Sequence, residues 1–284
     1  MIHVIIPVFN RINLTRQCIL SIKKQKIYKE LNIIIVDDAS KDKTKKYLLK
    51  NFPEITVIDG PGNLFWGGAI SLGINYVMKI KKHNDWVLLV NNDVKLSLDS
   101  IINLVKIAEN KNRKVLAGSM AIDVNNSSTV VKSGTIVESW LFNKTSHVFK
   151  GLNINQIINT EPVKVDFLTA RCLLHPVEIF KIAGNYDSKA FLHYGGDDEF
   201  SMRVKKYGYS TLLCPNSIVF LNSDDYRRKR KLSFKNFMFT FFNIKSSSNV
   251  INKFKLSIKV VPFYAKLTFF IIGVLKSFYI FLKR

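Results

Sequence analysis

Asp85-Trp-Val-Leu-Leu-Val-Asn-Asn-Asp-Val94 carries an unbroken apolar run, Trp86 to Val90, that stops on three oxygen-bearing side chains, Asn91, Asn92 and Asp93. Five apolar residues with no polar alternation predict a strand buried on both faces, as in the middle of an α/β sheet. Ligands of open α/β sheets bind in the crevice beyond the carboxyl ends of such strands. An aspartate there, backed by Asn carbonyls, offers hard oxygen donors to Mg²⁺ or Mn²⁺, which can in turn hold a diphosphate. A polar turn closing a core strand would read the same way from this stretch alone.

Upstream, residues 3–8, 31–36 and 55–58 are apolar runs of strand length, and helical patterns lie between them. Asn13 or Thr15 is the expected cap of a helix reaching residue 26, and Ser40 or Asp42 the cap of one over 44–51. Strand–helix–strand at this spacing predicts a parallel sheet with right-handed crossovers. The loop from Asp59 to Gly68 is glycine-rich, and a helix is expected from 69 to 82. Gly67-Gly68 at that helix start would let backbone approach an anion, and Trp66 could stack on a base or sugar ring.

Downstream, the pattern predicts a helix over 98–110 and a strand over 115–122. Residues 123–158 read as a long polar loop with short hairpins. Strand character returns at 160–174, and a short helix is expected at 176–182. The second polar cluster, Phe191-Leu-His-Tyr-Gly-Gly-Asp-Asp-Glu-Phe200, runs into a helix. One carboxylate in a helix's first turn is ordinary capping. Three in a row exceed that need and leave one to take a proton from an incoming hydroxyl. Strands at 210–215 and 218–221 complete the sheet.

Charge divides the chain. Of 43 Lys and Arg residues, 14 fall after Asp225, with no Asp or Glu among them, so the net charge of +22 splits into +14 there and +8 before it. This tail is rich in Phe, and its cleanest apolar run, residues 267–275, falls far short of the roughly 20 residues that span a bilayer. Basic, aromatic helices of this kind suit the interface of an anionic membrane, or pack on the preceding domain. No motif supports nucleic-acid binding. Cys18, Cys172 and Cys214 lack paired spacing and read as reduced core residues of a cytoplasmic protein. The N-terminal residues read directly as a strand, without the features of a signal peptide. The expected organisation is an α/β domain over 1–222 and a helical membrane-association segment over 223–284.

Five motifs occur in order: Val4-Ile-Ile-Pro-Val-Phe-Asn-Arg11, Ile35-Val-Asp-Asp-Ala-Ser-Lys-Asp42, Gly62-Asn-Leu-Phe-Trp-Gly-Gly68, Leu89-Val-Asn-Asn-Asp93 and Gly196-Asp-Asp-Glu-Phe-Ser-Met-Arg203. Together they resemble the family 2 glycosyltransferases, with some likeness to bacterial rhamnosyl- and galactofuranosyltransferases, over residues 2–221. The resemblance implies the GT-A fold and inverting sugar transfer from a nucleoside-diphosphate donor (UDP- or dTDP-linked) to a lipid-linked glycan of the cell surface. It places Pro7, Asn10, Arg11, Asp37, Asp38, Asn63, Trp66, Gly67, Asn92 and Arg171 around the nucleotide-sugar. It gives Asp93, with Asn91 and His193, a Mn²⁺ or Mg²⁺ ion. Asp197 becomes the catalytic base, or Asp198 if the register slips, and Asp198 and Glu199 lie on the acceptor side. Two positions depart from the family pattern: Asn91 replaces the first acid of Asp-x-Asp, and Gly196 replaces the Glu of a Glu-Asp pair. A nucleotidyltransferase, or an inactive scaffold of the same fold, is the competing expectation.

Overall fold

The computed structural model describes residues 1–221 and 232–283. The expected domain boundary at 222/223 and the basic run from Arg227 to Lys231 lie outside the described residues. The first half alternates strand and helix: β1 (Ile2–Val8), α1 (Ile12–Lys23), β2 (Leu31–Asp37), α2 (Thr44–Asn51), β3 (Thr56–Asp59), α3 (Phe65–Ile80) and β4 (Trp86–Val90). Then come β5 (Val94–Leu96), α4 (Ser100–Asn110), β6 (Val115–Asp123), β7 (Asn126–Lys132) and the hairpin β8 (Thr135–Ser139) to β9 (Lys144–His147). Next are β10 (Val163–Lys164), β11 (Cys172–Pro176), α5 (Ile179–Ile182), α6 (Gly196–Lys205) and β12 (Ser210–Leu221). The tail holds α7 (Phe234–Phe242), α8 (Val250–Val260) and α9 (Lys266–Leu282).

The main sheet runs β10-β12-β6-β11-β4-β1-β2-β3. It is parallel from β4 through β1 and β2 to β3, and again where β12 meets β6, with β11 inserted antiparallel between β4 and β6. Alternate residues of each strand feed opposite cores, which is why the strands read as continuous apolar runs. Val4, Ile6 and Val8 join Cys18, Ile19 and Ile22 of α1 on one face. Ile5 and Val36 join Ile70, Ile74 and Val77 of α3 on the other. Each such side chain contributes about 1.5–3 kcal/mol by burial. The three cysteines are buried free thiols, and burial pushes Cys172 and Cys214 up to about 12.

Several elements differ from expectation. α1 starts at Ile12 without a side-chain cap, so Asn13 and Thr15 sit inside its first turn. Between 160 and 174 only Val163–Lys164 and the start of β11 are strand. The two expected strands near the end are one, β12, whose register shifts between Cys214 and Ile218, where Pro215 has no N–H to give the ladder. β5 pairs Val94 and Leu96 with Leu221 and Val219, and so returns the chain to the sheet just after Asp93.

The tail packs on the domain. Lys259 Nζ lies 2.8 Å from Asp187 Oδ2, and Lys255 Nζ donates to Ala190 O at 3.0 Å. Lys276 Nζ donates to Asn143 O at 2.6 Å, Asn143 Nδ2 donates to Phe269 O at 3.0 Å, and Trp140 lies against Phe269. Gly273, Ser277 and Phe281 of α9 are buried, whereas Leu267, Ile271, Leu275, Phe278 and Leu282 form an exposed stripe at helical spacing. Helix continues from the 3₁₀ turn at Phe263 to Leu282. That 20-residue stretch is long and apolar enough, by length and composition alone, to cross a bilayer, where the sequence reading found too short a run.

Candidate active site

The floor of the site is built where β1, β2 and β4 end side by side. Asp37 and Asp38, at the end of β2, are both buried. Asp37 Oδ1 accepts Ser40 N–H at 3.0 Å, which closes the loop toward α2. The Asp38 carboxylate accepts three backbone N–H groups, Gly62 at 2.7 Å, Leu64 at 2.9 Å and Phe65 at 3.2 Å. It is thus the cap of α3, supplied from the neighbouring strand. This remote cap explains why α3 starts at Phe65, several residues before the expected 69. Asn10 and Arg11 take left-handed backbone angles, φ 59° and 65°. Asn10 N–H donates to Ser40 Oγ at 2.7 Å and Asn10 Oδ1 accepts Lys41 N–H at 2.8 Å, which ties the loops after β1 and β2 together. Pro7 pairs with Val36 inside the sheet, and Asn63 is exposed in the loop before α3.

At the end of β4 the three polar residues have separate tasks. Asn92 is buried and donates to Thr15 Oγ1 at 3.0 Å, so it holds α1 to the strand. Asn91 Oδ1 accepts the indole N–H of Trp66 at 3.0 Å, and its backbone N–H donates to Arg171 O at 3.3 Å. Asp93 Oδ2 lies 3.6 Å from the Arg11 guanidinium.

The acid cluster is brought to this floor by the start of α3. Gly67 N–H donates to Leu192 O at 2.7 Å, so its amide is spent on the chain itself and not left for an anion. A Cβ at Gly67 would sit 2.2 Å from Phe191 O, a contact only glycine permits. Replacing Gly67 by Ala should therefore push the 191–192 segment away, cost about 1–3 kcal/mol of stability and lower activity further than that loss explains. Thermal unfolding alongside turnover checks this, and unchanged activity would contradict it. Gly195, at φ 91°, caps α6 in the left-handed region. A Cβ on Gly196 would lie 3.6 Å from Trp66 Cζ3, so α6 begins against the same indole that bonds Asn91. Tyr186 backs this junction, edge-on to Trp66 at 5.8 Å and stacked on Phe200 at 4.3 Å, with its hydroxyl 3.0 Å from His175 Nε2. Burial pushes the His175 imidazole down to about 3, so it is neutral.

Electrostatics join the two ends of the site. Burial pushes the Tyr194 phenol up, Arg171 pulls it back, and Asp197 and Asp93 both push it further up. One exposed tyrosine thus lies within the field of both carboxylates. Asp197 Oδ1 accepts Asp198 N–H at 3.1 Å in the first turn of α6. His193 is 6.2 Å from Phe65 and 4.7 Å from Tyr194, ring to ring. Burial, then Lys245 and Arg11, lower its pKa, and its buried Nδ1 has no hydrogen-bond partner among the described residues. Glu199 behaves differently from its neighbours. It is buried and makes a two-pronged pair with Arg203, at 2.9 and 2.7 Å, while Arg203 also donates to Asn185 O. Glu199 therefore holds α6 to the 183–185 turn, a pairing that the i, i+4 spacing in the sequence already offered.

Arg11, Asp38, Trp66, Asn91, Asp93, Arg171, His193 and Asp197 thus come from six stretches of chain, while Asn92 and Glu199 serve the scaffold. Tyr194 and Tyr186 were not singled out in the sequence, since nothing separates them from core aromatics there. Among the described residues no three His, Cys, Asp or Glu side chains form a closed metal cage. The Asp93 carboxylate, the Asn91 amide oxygen and the unpartnered buried Nδ1 of His193 are donor types that a Mg²⁺- or Mn²⁺-class ion takes together with phosphate and water. A cavity of about 690 Å³ opens at the opposite end of the same strands, lined by Met1, His3, Asn32 and Asp85 among others. His3 there is bonded to Asp85 at 3.0 Å and Asn32 at 3.1 Å, and none of the five motifs lines it.

The chain is similar in structure to GalNAc-T7 with UDP, GalNAc and Mn²⁺ (16% identity, TM-score 0.63), covering 90% of this chain but only half of that one. It is also similar to S. aureus TarS 1-349 in complex with UDP-GlcNAc (13%, TM-score 0.58, 99% of this chain and 73% of that). A third likeness is to the mannosyltransferase PcManGT from Pyrobaculum calidifontis in complex with GDP-Man and Mn²⁺ (13%, TM-score 0.56, 98% and 69%). Identities this low establish a shared fold. No curated protein matched the sequence. The sequence profile of glycosyl transferase family 2 matches residues 3–167, from β1 past the β4 motif. On that match over more than half its length, the chain belongs to glycosyl transferase family 2.

Proposed function

We propose that this transferase moves a hexosyl or deoxyhexosyl group from a UDP- or dTDP-sugar to a hydroxyl of a lipid-linked glycan, with inversion, in synthesis of a cell-surface polysaccharide such as O-antigen or capsule. The observation that supports the reading is that Trp66 donates its indole N–H to Asn91 beside Asp93 and also lies next to Gly196 at the start of α6, the helix that carries Asp197. The GalNAc-T7, TarS and PcManGT structures hold UDP, UDP-GlcNAc or GDP-Man, and two of them Mn²⁺, which supports a nucleotide-sugar donor and a divalent ion here.

In this reading Asp197 accepts the proton of the acceptor hydroxyl as its oxygen bonds to the anomeric carbon. The bond from that carbon to the diphosphate breaks on the opposite face, so one displacement inverts the centre. Asp93, with Asn91 and His193, would hold a Mn²⁺ or Mg²⁺ ion, which would supply charge neutralisation for the departing diphosphate. His193 suits that place because its imidazole is held neutral. Arg171 and Tyr194 border the space between the two carboxylates, and the loops at Asn10 and Asp37 line the nucleoside end. The reading is tested by release of nucleoside diphosphate from a panel of nucleotide-sugars. Release that depends on an added lipid-linked acceptor supports it, and a protein inert with every pairing is a scaffold.

The tail favours work at the inner face of the cytoplasmic membrane. One face of α9 packs on the domain and the other exposes an apolar stripe, within a segment free of acids. Tethered at Phe269 and Lys276 to the 140–143 turn, α9 lies along the domain, as an interfacial helix does. Replacing Leu267 and Leu275 together by Asp removes roughly 1.5–3 kcal/mol of apolar burial each. Sedimentation with anionic vesicles should then fall more than tenfold with the fold intact, and unchanged partition would contradict a lipid-facing role.

A further inference from the structure

The connection between α7 and α8 reaches the donor end of the crevice. Its backbone is set by its own bonds: Lys245 N–H donates to Asn243 Oδ1 at 2.9 Å, Ser246 N–H to Asn243 O at 3.0 Å, and Ser246 Oγ to Thr240 O at 2.6 Å. Asn249 then caps α8 through Asn252 N–H at 2.9 Å. This tight turn delivers Lys245 to the rim, where its Nζ lies 5.8 Å from the Phe9 ring and 5.7 Å from the Phe65 ring. Phe9 belongs to the loop after β1, between Pro7 and Asn10. Phe65 opens α3 at φ 52°, and its own N–H is the last of the three held by Asp38. The ammonium therefore bridges the two loops that flank the proposed nucleotide end.

No carboxylate lies within ion-pair distance of Lys245 among the described residues. Another cation here, Arg11, is already 3.6 Å from Asp93. Two aromatic faces hold an exposed ammonium only weakly. A diphosphate arriving between them would bind it far more strongly, as charge-assisted hydrogen bonds to phosphate do.

We propose that Lys245 is a binding residue for the donor's diphosphate, so that the C-terminal segment completes the nucleotide-sugar site as well as meeting the membrane. The proposal rests on the donor reading above. Its test is calorimetry on the full chain in Mn²⁺ with UDP, dTDP and GDP, and with uridine, thymidine and guanosine as phosphate-free controls. The wild-type chain should bind at least one of the diphosphates. Lys245→Ala should weaken that diphosphate by about tenfold or more while changing its nucleoside less than twofold. Lys245→Arg should restore it to within about threefold, and the Ala deficit should shrink in high salt. Equal or tighter binding by Lys245→Ala, or an equal loss for nucleoside and diphosphate, overturns the role of Lys245 and leaves the donor site standing. A wild-type chain that binds none of the diphosphates overturns the donor reading, and this inference with it.

Discussion

Replacing Asp197 by Asn is expected to cut turnover by about 10²–10⁴-fold, the usual worth of a positioned general base, while nucleoside-diphosphate binding stays within about twofold. The exchange is nearly isosteric. The Asn carbonyl can still accept the Asp198 N–H that Oδ1 takes at 3.1 Å, so the first turn of α6 keeps its geometry. What disappears is the capacity to take a proton. Asp198→Asn is the matched control: a larger loss there than at 197 would transfer the base one residue along. Acceptor-dependent release of nucleoside diphosphate gives turnover, and calorimetry gives binding. Loss of donor affinity in Asp197→Asn would make that residue structural.

Asp93→Ala should cost about 100-fold or more in turnover, because it removes the one carboxylate in the proposed donor set for the divalent ion. Here the loss should fall on donor affinity. Wild-type binding of nucleoside diphosphate should be stronger in Mn²⁺ than in EDTA, and the variant should bind equally weakly in both. Asp93 also faces Arg11 at 3.6 Å, so Arg11→Ala separates the roles. That variant removes the pair and keeps the carboxylate, and it should retain the response to Mn²⁺. Full wild-type activity in EDTA would refute metal dependence altogether.

The strands that make the floor were legible because β1, β2 and β4 are buried on both faces and therefore read as apolar runs ending in polar residues. The motif residues could be placed on those ends from order alone. The start of α3 could not, because its cap is Asp38, some 24 to 27 residues earlier in the chain. Local signals at 69 look like a helix start only until that carboxylate is known to reach across. The same holds for Gly67, whose glycine reads as freedom for an anion but is set by the backbone of Phe191 and Leu192. Asn92 looked like a ligand beside Asn91 and Asp93, yet it faces Thr15 in the core. The tail read as either interfacial or packed on the domain, and Lys259 and Lys255 anchor α8 to Asp187 and Ala190, just ahead of the acid cluster.

The two departures from the family pattern have a common neighbour. Asn91 receives the Trp66 indole N–H, and a Cβ on Gly196 would lie in ordinary contact with the same ring at 3.6 Å.

The most direct measurement is a crystal structure grown with Mn²⁺ and the nucleoside diphosphate that binds best, with the ion located by its anomalous scattering. The account predicts one peak beside Asp93, the diphosphate against it, and the Asp197 carboxylate across an open space large enough for a sugar. A peak at the His3–Asp85 end of the sheet, or Asp197 separated from the diphosphate by packed side chains, would contradict it.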